Sequence, residues 1–136
     1  METILVVDDT GLVLKVVVAI LEAAHFHVLQ ADGGIKAVKM AAEYPGRIDL
    51  LLSDIKMPEM SGPRLGEILK QTRPDVRVMV MSGFSGDLLV LNYGWAFIAK
   101  PFLAKKLVEM VTDVLHSPDK SQGSNQFDKR KDNASE

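Results

Sequence analysis

Short apolar, β-branched runs alternate with longer stretches of helical period along almost the whole chain. Runs near 3–8, 27–31, 49–53, 76–81 and 95–98 have the length and composition of strands. Segments near 11–24, 34–43, 62–72, 85–92 and 103–116 have helical spacing. Val76-Arg77-Val78-Met79-Val80-Met81 is apolar with little alternation, the pattern of a strand buried on both faces. Five strand–helix units in succession leave few packings open. Right-handed crossovers put the strands side by side in one parallel sheet, with helices on both faces. The expected fold is therefore α/β and doubly wound. In the first helix we expect Leu12, Val16, Ile20 and Leu21 to face the core. Val16-Val17-Val18 is a poor intrinsic helix former, so packing must hold that helix.

At 136 residues the chain fits one such domain, and its 47% hydrophobic content supplies a core. The absence of cysteine excludes disulfides, thiolate metal sites and cysteine nucleophiles. A formal net charge of −2 is not the electrostatic footprint of a nucleic-acid binder. The longest mostly apolar stretch, Leu12 to Ala24, carries Lys15 and Glu22 and is too short to span a bilayer. No basic segment followed by an apolar stretch opens the chain, so a cytoplasmic domain without membrane contact is expected. From Ser117 onward the composition turns polar, and four acids and four bases cancel. We expect a folded domain over 1–117 and a disordered polar tail or linker over 118–136.

The chemistry sits where the strands end. Asp8 and Asp9 follow the first apolar run, Asp54 follows the third, Ser82 the fourth and Lys100-Pro101 the fifth. Strand ends emerging at one edge of a parallel sheet form a crevice. Three acids crowded there repel one another unless a cation sits among them. Oxygen-only ligands suit a hard divalent ion, Mg²⁺ above all. A lysine beside them can hold a phosphoryl oxygen as a compact point charge. Taken singly, these residues are ambiguous. Asp9 or Thr10 reads equally as a cap for the helix from Gly11, and Ser82 as the cap of another helix. The stretch from Asp54 to Gly62 is more telling: an acid at a strand end opens a turn-rich loop before a helix.

Together, the acid pair, the single acid, the hydroxyl and the Lys-Pro resemble the receiver domain of two-component response regulators over residues 3 to about 116. The resemblance implies a flavodoxin-like fold with five parallel strands in the order 2-1-3-4-5. It implies that Asp54 is the phosphoacceptor, taking a phosphoryl group from a phosphohistidine on a histidine kinase or histidine phosphotransfer protein. Asp9, Asp54 and the backbone carbonyl of Lys56 would ligate Mg²⁺, and Asp8 would act through metal-bound water. Ser82 and Lys100 would compensate the phosphoryl charge, and the Lys100-Pro101 bond would be cis. Ser82 and Phe97 take the family's switch positions, although Phe97 also reads simply as a core or edge residue of the fifth strand.

One departure stands out. The interval from Ser82 to Lys100 is several residues shorter than usual in the family, which implies a shortened fourth helix. Met81-Ser82-Gly83-Phe84 and the run from Gly94 to Phe102 look most like receivers attached to hybrid histidine kinases. Two rival readings are a degenerate receiver that binds proteins without phosphate, and a small Mg²⁺-dependent phosphohydrolase. The complete acid, hydroxyl and lysine set opposes the first. Lys56 opposes the second, because such hydrolases carry an acid two residues after the nucleophile. The expected activity is a signalling switch whose catalysis is confined to its own phosphorylation and dephosphorylation. His25, His27 and His116 lack metal spacing, and Met57 and Met60 are expected to serve packing.

Overall fold

A computed structural model describes residues 1–83 and 95–117. It contains β1 (Thr3–Val7), α1 (Gly11–Ala23), β2 (His27–Ala31), α2 (Gly34–Glu43), β3 (Leu50–Asp54), α3 (Gly62–Thr72), β4 (Arg77–Ser82), β5 (Ala96–Ala99) and α4 (Ala104–His116). The helix expected over 85–92 and the tail over 118–136 lie outside the described residues. All strand pairs are parallel, and the order is β2-β1-β3-β4-β5, as the resemblance implies.

The pleat sorts the strand residues onto two faces. Leu5, Val7, Leu51, Val78 and Val80 meet Ala37 and Ala41 of α2 and Leu65 and Leu69 of α3. Ile4, Val6, Leu50, Leu52, Met79, Met81 and Ile98 meet Leu14, Val17, Val18 and Leu21 of α1 and Leu107 and Val111 of α4. Both faces of β1, β3 and β4 are thus covered, which is why these strands read as apolar runs. Trp95 is half-buried on the α2–α3 face. Its ring lies over Gly66, where an added Cβ would stand 2.6 Å from it. Met57 and Met60 pack against the same core, as expected.

The expected face of α1 is half right: Leu21 is buried and Ile20 packs against the core, but Leu12 and Val16 face outward. Leu12 is 74% and Val16 50% exposed, while Leu14, Val17, Val18 and Leu21 are buried. Lys15 and Glu22 stand seven residues apart, two turns, and so share a face. That pair lies within the exposed arc, at the edge next to buried Val18. In a segment apolar nearly all round, spacing alone does not fix which side packs against the sheet. No helix among the described residues is long and apolar enough to cross a membrane.

Candidate functional site

Strand register brings the separate motifs to one edge. Val7 pairs with Ser53, so Asp8 and Asp54 are the next residues on neighbouring strands. Asp54 pairs with Met81, which puts Ser82 one residue beyond it on β4. Ser82 pairs with Ala99, and the Lys100 N–H donates to the Ser82 carbonyl at 2.8 Å. The crossovers from β1 and from β3 leave in opposite directions along the sheet, so the crevice between these two strands is open. Asp8, Asp9, Asp54, Ser82 and Lys100 all lie at this edge.

Asp8, Asp9 and Asp54 each present a carboxylate oxygen within 4.8 Å of the others. Asp8 is fully buried and Asp9 exposed. Asp8 Oδ1 accepts from the Thr10 N–H at 2.9 Å, and its Oδ2 lies 3.0 Å from Lys100 Nζ. Asp8, rather than Asp9 or Thr10, therefore supplies the side-chain oxygen that turns the chain into α1; Thr10 takes the N-cap position without a side-chain bond. Asp54 Oδ1 accepts from the Ile55 N–H at 3.0 Å, and its Oδ2 is 3.4 Å from Lys100 Nζ. The ammonium thus bridges the two strand-end acids, a pairing the sequence alone did not disclose. The Lys100-Pro101 bond is cis, as the resemblance implies.

One ammonium against three carboxylates leaves two formal negative charges in the cluster. Like charges about 4 Å apart repel by about 4 kcal/mol at the effective dielectric of a protein surface. Burial raises the Asp54 carboxyl above its ordinary value; Lys100 pulls it back, and Asp8 adds to the rise. An all-oxygen donor set with excess negative charge and one exposed member fits a hard divalent cation that keeps some of its water.

The loop after Asp54 is tightly closed. The Gly62 N–H donates to the Ile55 carbonyl at 2.8 Å, and a Cβ on Gly62 would run into the Asp54 carbonyl. Ser61 caps α3 by accepting from the Arg64 N–H at 3.2 Å. The Ser53 hydroxyl donates to the Asp54 carbonyl at 2.9 Å. Ser53, Ser61 and Gly62 thus hold the end of β3 in place. Ser61 and Gly62 had a sequence signal, their place at the close of a turn-rich loop before a helix; Ser53 had none. Phe97, paired with Val80, is half-buried and packs against the α2–α3 face of the core.

Residues 4–112 match the model of the response regulator receiver domain. The chain belongs to that family. It is 33% identical over 121 residues to the sensor kinase CckA of Brucella abortus (strain 2308), covering 86% of this chain but only 13% of that protein. It is 32% identical over 119 residues to the response regulator receiver protein CpdR of the same organism, covering 85% of this chain and 98% of the relative. The response regulator protein TrrA from Thermotoga maritima, solved in complex with Mg²⁺-BeF, superposes with a TM-score of 0.74 at 26% identity, over 84% of this chain and 99% of that one. This is a phosphoacceptor signalling switch of the two-component type rather than a metabolic enzyme.

Proposed function

We propose that Asp54 is the acceptor and that its donor is a phosphohistidine on a histidine kinase or a histidine phosphotransfer protein. A carboxylate oxygen of Asp54 attacks the phosphorus, the phosphorus–nitrogen bond breaks, and the partner's imidazole leaves with the electron pair. Asp9, Asp54 and the Lys56 carbonyl would hold Mg²⁺, with Asp8 reaching it through water. When bound, the ion neutralises charge on the transferring phosphoryl group and aligns it for attack. Lys100 Nζ is 3.4 Å from Asp54 Oδ2, near enough to follow the new charge. Ser82, buried at the end of β4, offers a hydroxyl for a phosphoryl oxygen. Drawing Ser82 and Lys100 inward leaves space that Phe97 fills by rotating toward the core. Hydrolysis of the acyl phosphate on the same residues resets the switch. Residues 1–117 form this receiver, and 118–136 serve as a polar tail or linker.

The observation that carries the reading is the meeting of Asp8, Asp9 and Asp54 within 4.8 Å, with Lys100 spanning two of them. Incubation with acetyl phosphate and Mg²⁺ should add one phosphoryl group to the chain, read by intact mass. Asp54→Asn should take up none, and undiminished labelling of that variant would move the acceptor elsewhere.

A further inference from the structure

The loop between β3 and α3 holds one residue in an unfavourable backbone conformation. Glu59 stands at φ 69°, a left-handed region that side chains other than glycine rarely adopt. The residue that follows, Met60, packs against Gly34, the first residue of α2. An added Cβ at Gly34 would sit 2.8 Å from both Cβ and Sδ of Met60. The Met60 side chain therefore occupies the space that a side chain at position 34 would need. Such conformations persist where their surroundings over-determine them. Here the Met60 N–H donates to the Pro58 carbonyl at 2.7 Å, closing a tight turn about Glu59, and the Met60 side chain lies against the start of α2.

Helix α2 cannot simply swing away from that contact. At its far end the guanidinium of Arg73, the residue that closes α3, donates to the carbonyls of Ala41, Tyr44 and Gly46 at 2.9, 2.8 and 2.8 Å. Helix α2 is thus tied at both ends, to the end of α3 by a cation on carbonyls and to the loop before α3 by Met60 on Gly34. The base of the loop is equally fixed by the Gly62–Ile55 hydrogen bond. Displacement forced at position 34 or 60 must fall on the stretch between, and Lys56 lies in it.

We propose that Met60, seated on Gly34, is a positioning residue for the metal site. Its contact sets where the Lys56 carbonyl lies relative to Asp54 and Asp9. This rests on the assignment of that carbonyl as a ligand made above. Met60 itself touches no ligand; it acts through the loop.

Mg²⁺ titration of the full chain, followed by the amide NMR shifts of Ile55 and Lys56, tests the idea, with a urea midpoint measured for each variant. Met60→Ala should weaken binding about tenfold, the low end of what outer partners of a metal site are worth. Gly34→Ala should weaken it comparably with Met60 intact, and carries the test if Met60→Ala does not fold. Met60→Leu, close in volume, should restore most of the affinity. Leu69→Ala, in the same core but on α3 away from the loop, should lower the urea midpoint and leave Mg²⁺ affinity unchanged. Wild-type affinity in both Met60→Ala and Gly34→Ala would overturn the proposal. So would an equal loss of affinity in Leu69→Ala, since general loosening would then explain it. Asp9→Asn separates the two assignments. If it binds Mg²⁺ like wild type, the metal site itself is misassigned. If it loses binding while the Met60 and Gly34 variants keep theirs, only the positioning role fails.

Discussion

Asp54 meets opposing demands, and its protonation shows which prevails. Its carboxyl lies above the ordinary value near 3.8: burial is the largest cause, Lys100 pulls it back, and Asp8 adds to the rise. A carboxyl whose folded value is raised binds its proton more tightly in the folded state. Its ionisation therefore costs stability, fully so above the folded value, and the cost vanishes below the unfolded one. Asp54→Asn removes that cost while leaving the 3.0 Å Asp8–Lys100 pair in place. In metal-free buffer at pH 7 the variant should have a higher urea midpoint than wild type. The difference should shrink as pH falls below about 4, where wild-type Asp54 is protonated in both states. A lower midpoint for Asp54→Asn at pH 7 would mean that the Lys100 contact outweighs burial.

At the scale of elements, α1 is held by one arc of side chains and α3 also by its cap. Leu21 is fully buried, so Leu21→Ala should cost about 2–5 kcal/mol of unfolding free energy. Leu12 faces outward, and Leu12→Ala should change stability by no more than about 0.5 kcal/mol. Urea denaturation of the two variants decides which face is inside; equal costs would restore the arrangement that apolar spacing alone suggests. In α3 the Ser61 hydroxyl receives the Arg64 N–H, and Pro63 lies in the first turn. The remaining described helices have no side-chain cap bond at their N-cap residues and rely on burial of their apolar faces.

For the molecule as a whole, the parallel sheet brings the site residues together, and a cation bound there would link the site to stability. The residues concerned lie as far apart in the chain as Asp8 and Lys100, so the site exists only while β1, β3, β4 and β5 stay in register. A cation that binds the assembled cluster and not the unfolded chain must stabilise the fold. At ten times its dissociation constant, Mg²⁺ should add about 1.4 kcal/mol, seen as a rise in Tm that EDTA reverses. Asp9→Asn should lose most of that rise. An undiminished Mg²⁺ effect in this variant would place the ion elsewhere.

Much of this was legible in the chain itself. Apolar runs of strand length alternating with helical segments specify a parallel sheet covered on both faces, because apolar strands must be buried and the crossovers have one hand. An acid, hydroxyl or lysine at the end of a run marks the residues that meet at the sheet edge, because runs end where the sheet meets solvent. Other features depend on contacts between segments distant in sequence. The side of α1 that faces inward was decided against the sheet, since its apolar residues nearly encircle it. Lys100 pairs with Asp8 as well as Asp54 because register places its ammonium between neighbouring strand ends. Met60 reaches Gly34, and Arg73 the end of α2, across two helices that no local spacing relates. Local pattern determines which residues leave water; the contact each one finds inside is set by the whole packed chain.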